Sequence, residues 1–251
     1  MRVAAGYDIH GNLPALDTVL AEIDRDQFDL MLAKDVAHPG ISSIGLRYHA
    51  DQVAKVFNEI DDKLASWIAE QPLFFVGTAP RDGHVNVSPK GFPGTLRVLG
   101  PHAIAYLDTV GSGIETVAHL RENGRIVIMF CAFAGAPRIL RLHGTGRVRQ
   151  IGDPRFEELV EFFDVDAVRG LGLEPALRSV VEVEVERIAD SCGYGVPLME
   201  FDGWRPQMRA WAENRLRTQG PNGLMDYSRE MNEVSINGLP GIEPALLPDR
   251  S

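Results

Sequence analysis

The chain has 251 residues, of which 45% are hydrophobic and 24% charged, a composition typical of a soluble globular protein. Its 25 Lys and Arg against 35 Asp and Glu give a net charge of −10, which argues against a general binder of nucleic acid or anionic membranes, because either would need a basic face. Cys131 and Cys192 are too few for a disulfide framework or a zinc site. No apolar stretch approaches the roughly 20 residues of a membrane span. With no secretion signal evident, we expect a cytoplasmic protein.

The first 40 residues predict a strand, a turn, a helix and a second strand. An apolar run ends at Asp8, His10-Gly11-Asn12 has turn chemistry, and apolar residues from Leu13 to Ile23 recur at helical spacing. The character of the chain changes at Asp51. We therefore predict a βαβ-like N-terminal segment over residues 1–50 and a separate domain over residues 51–251.

The second part begins with apolar residues at helical spacing from Val53 to Ile68, which predict a long amphipathic helix that ends before Pro72. Short β-type runs follow, separated by turn residues such as Arg81-Asp82-Gly83. The predicted strands are Leu73–Thr78, His84–Ser88, Thr95–Leu99, Ile104–Asp108, Arg125–Cys131, Arg138–Val148 and the alternating run from Val181 to Glu186.

Helices flank these strands. Ser112 and Glu115 have the spacing of a capping box, with Asn123-Gly124 as the helix end. Asp153-Pro154 opens another helix, and two short helices are predicted at residues 207–216 and 223–232. The fold class is therefore mainly β (α+β). Because closure removes exposed edges, we predict a six- or seven-stranded antiparallel barrel with flanking helices.

The run from Leu73 to Arg149 includes H-V-N-V-S-P-K-G, A-Y-L-D-T-V-G-S-G and R-I-L-R-L-H-G-T-G-R-V. In this order the segments resemble the pyridoxamine 5′-phosphate oxidase-like family of flavin-binding split barrels, over about residues 54–240. D-S-C-G-Y-G-V-P-L-M-E, from Asp190 to Glu200, is similar to a signature of an uncharacterised branch. The resemblance implies a homodimer with FMN at the subunit interface, or in some branches a deazaflavin or haem.

The resemblance also implies site residues. Lys90, at the end of a strand, is the expected phosphate cation, and Asn86 and Ser88 share its strand face. Tyr106, Asp108 and Thr109 match the strand that lies along the flavin ring. The remaining candidates are Ser112 and Thr116 at a helix start, where free N–H groups favour an anion, and Arg138 and Arg141 near the subunit interface.

Two departures from the family pattern bear on function. Gly113 and Ile114 stand where the family commonly has an Arg-Lys pair after Ser112, and Glu115 adds a negative charge. The end of the chain also lacks the arginine-containing substrate motif of the vitamin B6 enzymes.

Arg138 and Arg141 are three residues apart in one predicted strand, so we expect their side chains to point to opposite faces. At most one of them therefore faces a given pocket.

The N-terminal segment resembles the start of a calcineurin-like metallophosphoesterase. Asp8 and His10 match its D-x-H metal pair, and Asp35 is in the place of the second motif, although Lys34 replaces the usual glycine. The remaining metal motifs of that family are absent from the sequence. We interpret residues 1–50 as a truncated, non-functional segment with Asp8, His10 and Asp35 as remnant metal ligands.

Three functions remain open on the sequence. The leading interpretation is an FMN-dependent oxidoreductase that transfers a hydride at flavin N5 to or from a small-molecule substrate. The second is a non-catalytic module that binds a flavin, haem or a vitamin B6 phosphate. The third is a metal-dependent phosphoesterase built on Asp8 and His10. No residue is assigned as a catalytic acid or base.

Overall fold

A computed structural model describes residues 55–164, 169 and 174–247 of the chain. These residues belong to a unit that spans Asp51–Ser251. The predicted βαβ segment of residues 1–50 lies outside the described residues. Within the part that is described, no helix is long and apolar enough to cross a membrane.

The described part contains eight strands, five helices and two short 3-10 turns. The strands are β1 (Val56–Phe57), β2 (Leu73–Thr78), β3 (Asn86–Gly91), β4 (Leu96–Gly100), β5 (Ala103–Thr109), β6 (Arg125–Cys131), β7 (Ile139–Gln150) and β8 (Leu177–Ser191). The helices are α1 (Asp62–Ala69), α2 (Glu115–Asn123), α3 (Pro154–Val160), α4 (Gln207–Gln219) and α5 (Gly223–Met231). The 3-10 turns are Glu174–Ala176 and Pro244–Leu246.

Seven strands form one continuous antiparallel path in the order β3-β2-β6-β7-β8-β5-β4, and β1 pairs with β8. Lys90 of β3 forms an ion pair with Asp108 of β5, although these strands are first and sixth along the path. The sheet is therefore curled so that β3 and β5 face each other across an opening, which we call the split. The predicted mainly-β split barrel is confirmed.

Three apolar clusters hold the sheet and helices together. The first fills the curled sheet with side chains such as Phe74, Ile128 and Phe130 and is covered by Leu64 and Ile68 of α1. The second packs α3 on the other face of β5 and β8, and the third joins α2 to α4 and α5. The alternation of β8 is as predicted, because Val181, Val183 and Val185 are buried while Glu184 and Glu186 are exposed.

Two local predictions are wrong. The helix predicted from Val53 begins only at Asp62, with Asp61 accepting a hydrogen bond from the Leu64 N–H as its N-cap, and the apolar pair before it forms β1 on the edge of β8. The predicted capping box does not form either, since α2 begins at Glu115 with Ile114 as a cap that has no side-chain hydrogen bond. Its predicted end is confirmed, with Gly124 in the left-handed region at φ 72°.

Candidate functional site

Four polar side chains lie along the split, three on one face of β3 and one on α2. Asn86, Ser88 and Lys90 alternate along β3, and Thr116 lies in the first turn of α2. The Asn86 amide donates to Ser88 Oγ and to Thr116 Oγ1, each at 3.1 Å. We call Asn86, Ser88, Lys90 and Thr116 the β3 cluster. These four residues are all among the candidates that the sequence predicted.

The hydrogen-bond direction in the β3 cluster matters for what it can bind. Because both hydroxyl oxygens accept from the Asn86 amide, the hydroxyl hydrogens of Ser88 and Thr116 remain available as donors. Thr116 is 8% exposed, so a donated hydrogen bond there is little weakened by competing water. These two hydroxyl donors, with the Lys90 ammonium on the same strand face as Ser88, suit an anionic oxygen ligand.

Lys90 is fixed by an ion pair across the split. Its Nζ lies 2.8 Å from Asp108 Oδ1, with 23% of the lysine side chain and 3% of the aspartate side chain exposed. On the other side of the carboxylate, Arg178 Nε donates to Asp108 Oδ2 at 2.7 Å, and Ser179 Oγ donates to the same oxygen at 3.3 Å. Two cations thus share one carboxylate, which leaves a net positive charge at this end of the split.

The electrostatic state of Asp108 follows from these contacts. Burial alone would raise the pKa of its carboxyl, but the charges of Arg178 and Lys90 and their hydrogen bonds outweigh burial and hold the pKa well below its ordinary value. Asp108 is therefore ionised, and the positive charges of Arg178 and Lys90 compensate its negative charge. The negative charge of Asp108, which would be unfavourable beside a phosphate, is compensated by Arg178, a residue that the sequence prediction missed.

Arg178 also ties the split to the end of the described chain. Its Nη1 donates to Asn232 Oδ1 at 2.7 Å, and Ser228 Oγ donates to the same oxygen at 2.9 Å. The Asn232 amide nitrogen donates to the carbonyl oxygen of Gly111 at 2.9 Å. Asn232 is completely buried, so this amide fixes the loop between β5 and α2. Sequence reasoning missed Asn232 too, and no local pattern marks it.

The other two β5 residues predicted for the site, Tyr106 and Thr109, lie in different surroundings. Tyr106 is completely buried in the barrel core, stacked edge-on against Phe74, and among the described residues its hydroxyl has no hydrogen-bond partner. Burial, followed by the nearby Asp108 carboxylate, raises the pKa of Tyr106 well above its ordinary value, so the phenol stays protonated near neutral pH. Thr109 is half-buried and follows a shift in the pairing of β5 with β8.

The loop before α2 is not part of the β3 cluster. Ser112 is exposed. A Cβ placed on Gly113 would lie 2.6 Å from Glu115 Oε2, and the backbone N–H of Ile236 donates to the other Glu115 oxygen at 3.4 Å. The carboxylate that approaches this loop makes it a poor place for a phosphate, which shifts the favoured anion position toward Lys90.

The two candidate arginines lie away from the β3 cluster, near the end of β8. Arg138 Nε donates to Asp190 Oδ2 at 3.1 Å, and Arg138 Nη2 forms an ion pair with the same oxygen at 3.0 Å. Arg141 Nη1 donates to Ser191 Oγ at 3.0 Å. Of the two arginines, only Arg138 lines a large cleft at this end of β8.

The remnant metal ligands Asp8, His10 and Asp35 lie outside the described residues. Among the residues that are described, no group of three or more His, Cys, Asp or Glu side chains has the arrangement to hold a metal ion.

A buried histidine lies beside the β3 cluster. His119 of α2 is completely buried, and its Nδ1 lies 3.0 Å from the hydroxyl of Thr78, the cross-strand partner of Asn86. Its Nε2 has no hydrogen-bond partner among the described residues. Burial lowers the pKa of His119 from its ordinary value of 6.5, although Glu115, Glu122 and the Thr78 hydrogen bond oppose the change.

We expect this histidine to make stability depend on pH. Because its folded-state pKa is depressed, the stabilisation is present above pH 6.5 and is lost as the pH falls and the unfolded chain takes up the proton. The urea midpoint should therefore drop between pH 7.5 and pH 5.5 by less in a His119→Gln variant than in the parent. His143, whose pKa is also lowered by burial, is unchanged in both proteins. Equal drops in the two proteins would contradict the assignment.

Together these features define a class: a split β-barrel with a cluster of anion-receptive donors at its opening. Residues 60–192 match the family described as pyridoxamine 5′-phosphate oxidase, which is more than half of the chain. A pyridoxamine 5′-phosphate oxidase family protein of Aspergillus flavus, ustO, is 38% identical over 204 residues, covering 76% of this chain and 78% of that protein. The chain belongs to the pyridoxamine 5′-phosphate oxidase family.

Solved structures give more distant matches. HupZ of Group A Streptococcus is 23% identical, with 52% of this chain and 98% of that chain covered and a TM-score of 0.42. An FMN-binding protein of Syntrophomonas wolfei is 14% identical, with 50% and 80% covered and a TM-score of 0.38. A FAD-binding protein of Mesorhizobium loti is 10% identical, with 55% and 95% covered and a TM-score of 0.39.

Proposed function

We propose that the protein is an FMN-binding oxidoreductase whose β3 cluster holds the cofactor phosphate. The observation that carries the proposal is that Lys90 shares one face of β3 with Asn86 and Ser88, while the Asn86 amide binds the hydroxyl oxygens of Ser88 and Thr116 and leaves their hydrogens free. Membership in the family supports a flavin as the source of the anion. Asp108, between Lys90 and Arg178, keeps the ammonium in place and leaves one positive charge for the phosphate.

The donor set of this chain fits a phosphate monoester. Lys90 supplies a cation, Ser88 and Thr116 supply hydroxyl donors, and the Asn86 amide fixes the orientation of both hydroxyls. Bound FMN would supply acceptance or delivery of a hydride at its N5 atom. The residues of the β3 cluster bind and orient the phosphate end. Tyr106, whose pKa is raised by burial, does not exchange a proton near neutral pH.

We further propose a homodimer in the cytoplasm. Val85 and Val87, at the outward face of the barrel edge, are 71% and 62% exposed, and a second copy of the chain would bury them. Both cysteines are free thiols, which suits a reducing compartment. Residues 51–251 would form the cofactor-binding domain, with residues 1–50 as a separate segment. Size-exclusion chromatography with light scattering would give the mass of two chains.

The proposal predicts that removing the Lys90 ammonium group weakens the binding of FMN but not the binding of riboflavin, which has no phosphate. Replacing Lys90 by methionine should raise the dissociation constant for FMN at least about tenfold, because a charge-assisted contact of about 1.4 kcal/mol or more is lost. Riboflavin, which has the same ring without the phosphate, should bind both proteins equally. Flavin absorbance and fluorescence titrations of the full-length apoprotein measure both constants.

The control is Lys63→Met, which removes an exposed lysine from α1 and should leave both constants unchanged. A protein that is colourless as purified and takes up no added FMN would contradict the proposal. Equal losses for FMN and riboflavin in Lys90→Met would show instead that Lys90 supports the ring or the fold.

A second candidate function is a non-catalytic binding module on the same barrel. The observation that favours it is the Glu115 carboxylate at the loop where the family has a basic pair. Such a module would bind FMN, a deazaflavin, haem or a vitamin B6 phosphate without turnover. Bound flavin that neither NADH, NADPH nor a reduced deazaflavin reduces would favour the module. A haem would be recognised by its Soret band.

A further inference from the structure

A cleft of about 1220 Å³ lies at the end of β8, and it shares no residue with the β3 cluster. It is bounded by the end of α1, the loop between β6 and β7, the end of β8 and residues 199–205. The segment from Asp190 to Glu200, which the proposed function does not use, contributes several lining side chains. We call this space the β8 cleft. A cleft of this size accommodates a small organic molecule.

Aromatic side chains form the walls of the β8 cleft, and neighbouring residues fix them. Trp204 packs 4.9 Å from Phe92 and 5.1 Å from Phe201, measured between ring centroids. A Cβ on Gly91 would lie 2.8 Å from Trp204 Cζ3, so the indole rests directly on the β3 backbone. Trp67, another lining residue, has the Arg138 guanidinium 4.7 Å from its ring centroid. Rigid aromatic walls favour a flat ligand.

An ion pair between Arg138 and Asp190 lines the same cleft, and each side chain has one polar atom outside the contact. Arg138 directs Nε and Nη2 to a single oxygen of Asp190, Oδ2. Within the described part of the chain, Arg138 Nη1 and Asp190 Oδ1 have no hydrogen-bond partner. Both side chains are only 23% and 20% exposed, so the unused atoms gain from a partner that water supplies incompletely. One unused donor and one unused acceptor in the same ion pair suit a ligand group that both accepts and donates, as an amide does with its C=O and N–H.

The charges of the β8 cleft set the charge of its ligand. Its cationic lining residues are Lys55, Arg138 and Arg205, and its anionic ones are Glu70, Asp190 and Glu200. The two sets balance, so the cleft gives no advantage to a ligand with a net charge.

We propose that the β8 cleft is a binding site for a flat aromatic molecule without net charge whose edge carries an amide. The ring would lie against Trp204, and the amide would accept from Arg138 Nη1 and donate to Asp190 Oδ1. The site can be tested separately from the proposed phosphate site, because it uses none of Asn86, Ser88, Lys90 or Thr116.

The test compares two probes of the same shape by isothermal titration calorimetry on the full-length protein. Naphthalene-2-carboxamide is uncharged and has an amide edge, whereas naphthalene-2-carboxylate is an anion without an N–H. We expect the carboxamide to bind at least about tenfold more tightly, which corresponds to about 1.4 kcal/mol. Equal binding of the two probes, or binding of neither, would overturn the proposal.

Variants separate the amide contact from the aromatic wall. Arg138→Lys keeps the charge opposite Asp190 but loses the planar fork, and it should bring the affinity ratio of the two probes close to one. Trp204→Leu should weaken both probes by the same factor. Trp211→Phe changes a tryptophan outside the cleft, which packs on Tyr227, and should change neither constant. Urea midpoints check folding, and an unaltered ratio in Arg138→Lys contradicts the proposed contact.

A second readout uses the two thiols of the chain. Cys192 is exposed and lines the β8 cleft, whereas Cys131 is buried and its pKa is raised by that burial. The carboxamide should slow alkylation of Cys192 by iodoacetamide, because only protein without bound probe reacts, so the rate should fall in step with the unoccupied fraction. The rate at Cys131 should not change. An unchanged rate at Cys192 with the probe bound would locate the probe elsewhere and overturn the proposal. The Lys90→Met variant should bind the carboxamide normally, so failure here and failure of the flavin proposal are distinguishable.

Discussion

Replacing Arg178 by methionine is expected to lower the free energy of unfolding by about 3–5 kcal/mol. Arg178 is 4% exposed, and its guanidinium lies between Asp108 and Asn232, with hydrogen bonds of 2.7 Å to each. Methionine fills similar space but leaves the buried carboxylate with Lys90 as its main partner. It also leaves the Asn232 side-chain oxygen with only Ser228. Urea denaturation at pH 7 measures the loss.

The control for this prediction is Arg209→Met, which breaks an exposed ion pair with Glu213 one helical turn away. Such a pair contributes at most about 0.5 kcal/mol, so the variant should unfold almost like the parent. A double variant, Arg178→Met with Asp108→Leu, removes the stranded carboxylate and should recover part of the loss. A loss below about 1 kcal/mol in Arg178→Met would contradict the role assigned to this buried pair.

Replacing Gly144 by alanine is expected to destabilise the barrel by about 3 kcal/mol or more. Gly144 lies at the shift in register between β7 and β8, where its missing side chain lets the two backbones approach closely. A methyl group there would overlap the carbonyl oxygen of Glu184 and lie 2.9 Å from its carbonyl carbon and 3.1 Å from Val185 Cα. Backbone atoms cannot rotate away, so the central pair of strands would have to separate.

Gly100→Ala is the matched control, since Gly100 also lies in a strand but a Cβ there would have no heavy atom within 4 Å. We expect its free energy of unfolding to stay within about 0.5 kcal/mol of the parent. Thermal and urea unfolding of both variants give the comparison. Similar losses in the two proteins would contradict the role assigned to the close backbone contact at Gly144.

The sequence predicted the strands well because their signals are local. Arg125–Cys131 was placed to the residue, and the alternation from Val181 to Glu186 correctly indicated one buried face. The helix predicted from Val53 failed because apolar spacing in a short window does not distinguish a helical face from a strand packed on an edge. Val56–Phe57 joined β8 instead, and the helix began at Asp62.

The candidate site was predictable only in part. Lys90, Asn86, Ser88 and Thr116 were named from the family resemblance. The structure joins Asn86 to Ser88 and Thr116 by hydrogen bonds and has Lys90 on the same face of β3. Arg178 had a weak signal, a charged residue in the otherwise uncharged run from Leu177 to Val181 at the start of β8. The β8 cleft had none, because its walls come from five stretches of chain that meet only in the folded protein.

The hydrogen bond from Asn232 to the Gly111 carbonyl joins parts of the chain that are 121 positions apart in sequence. A protease cut in the stretch after α5, or a fusion partner pulling on it, would therefore loosen the turn that leads from β5 into α2. A protein cut in this stretch would then lose cofactor because the turn between β5 and α2 had loosened, although every residue of the β3 cluster was still present.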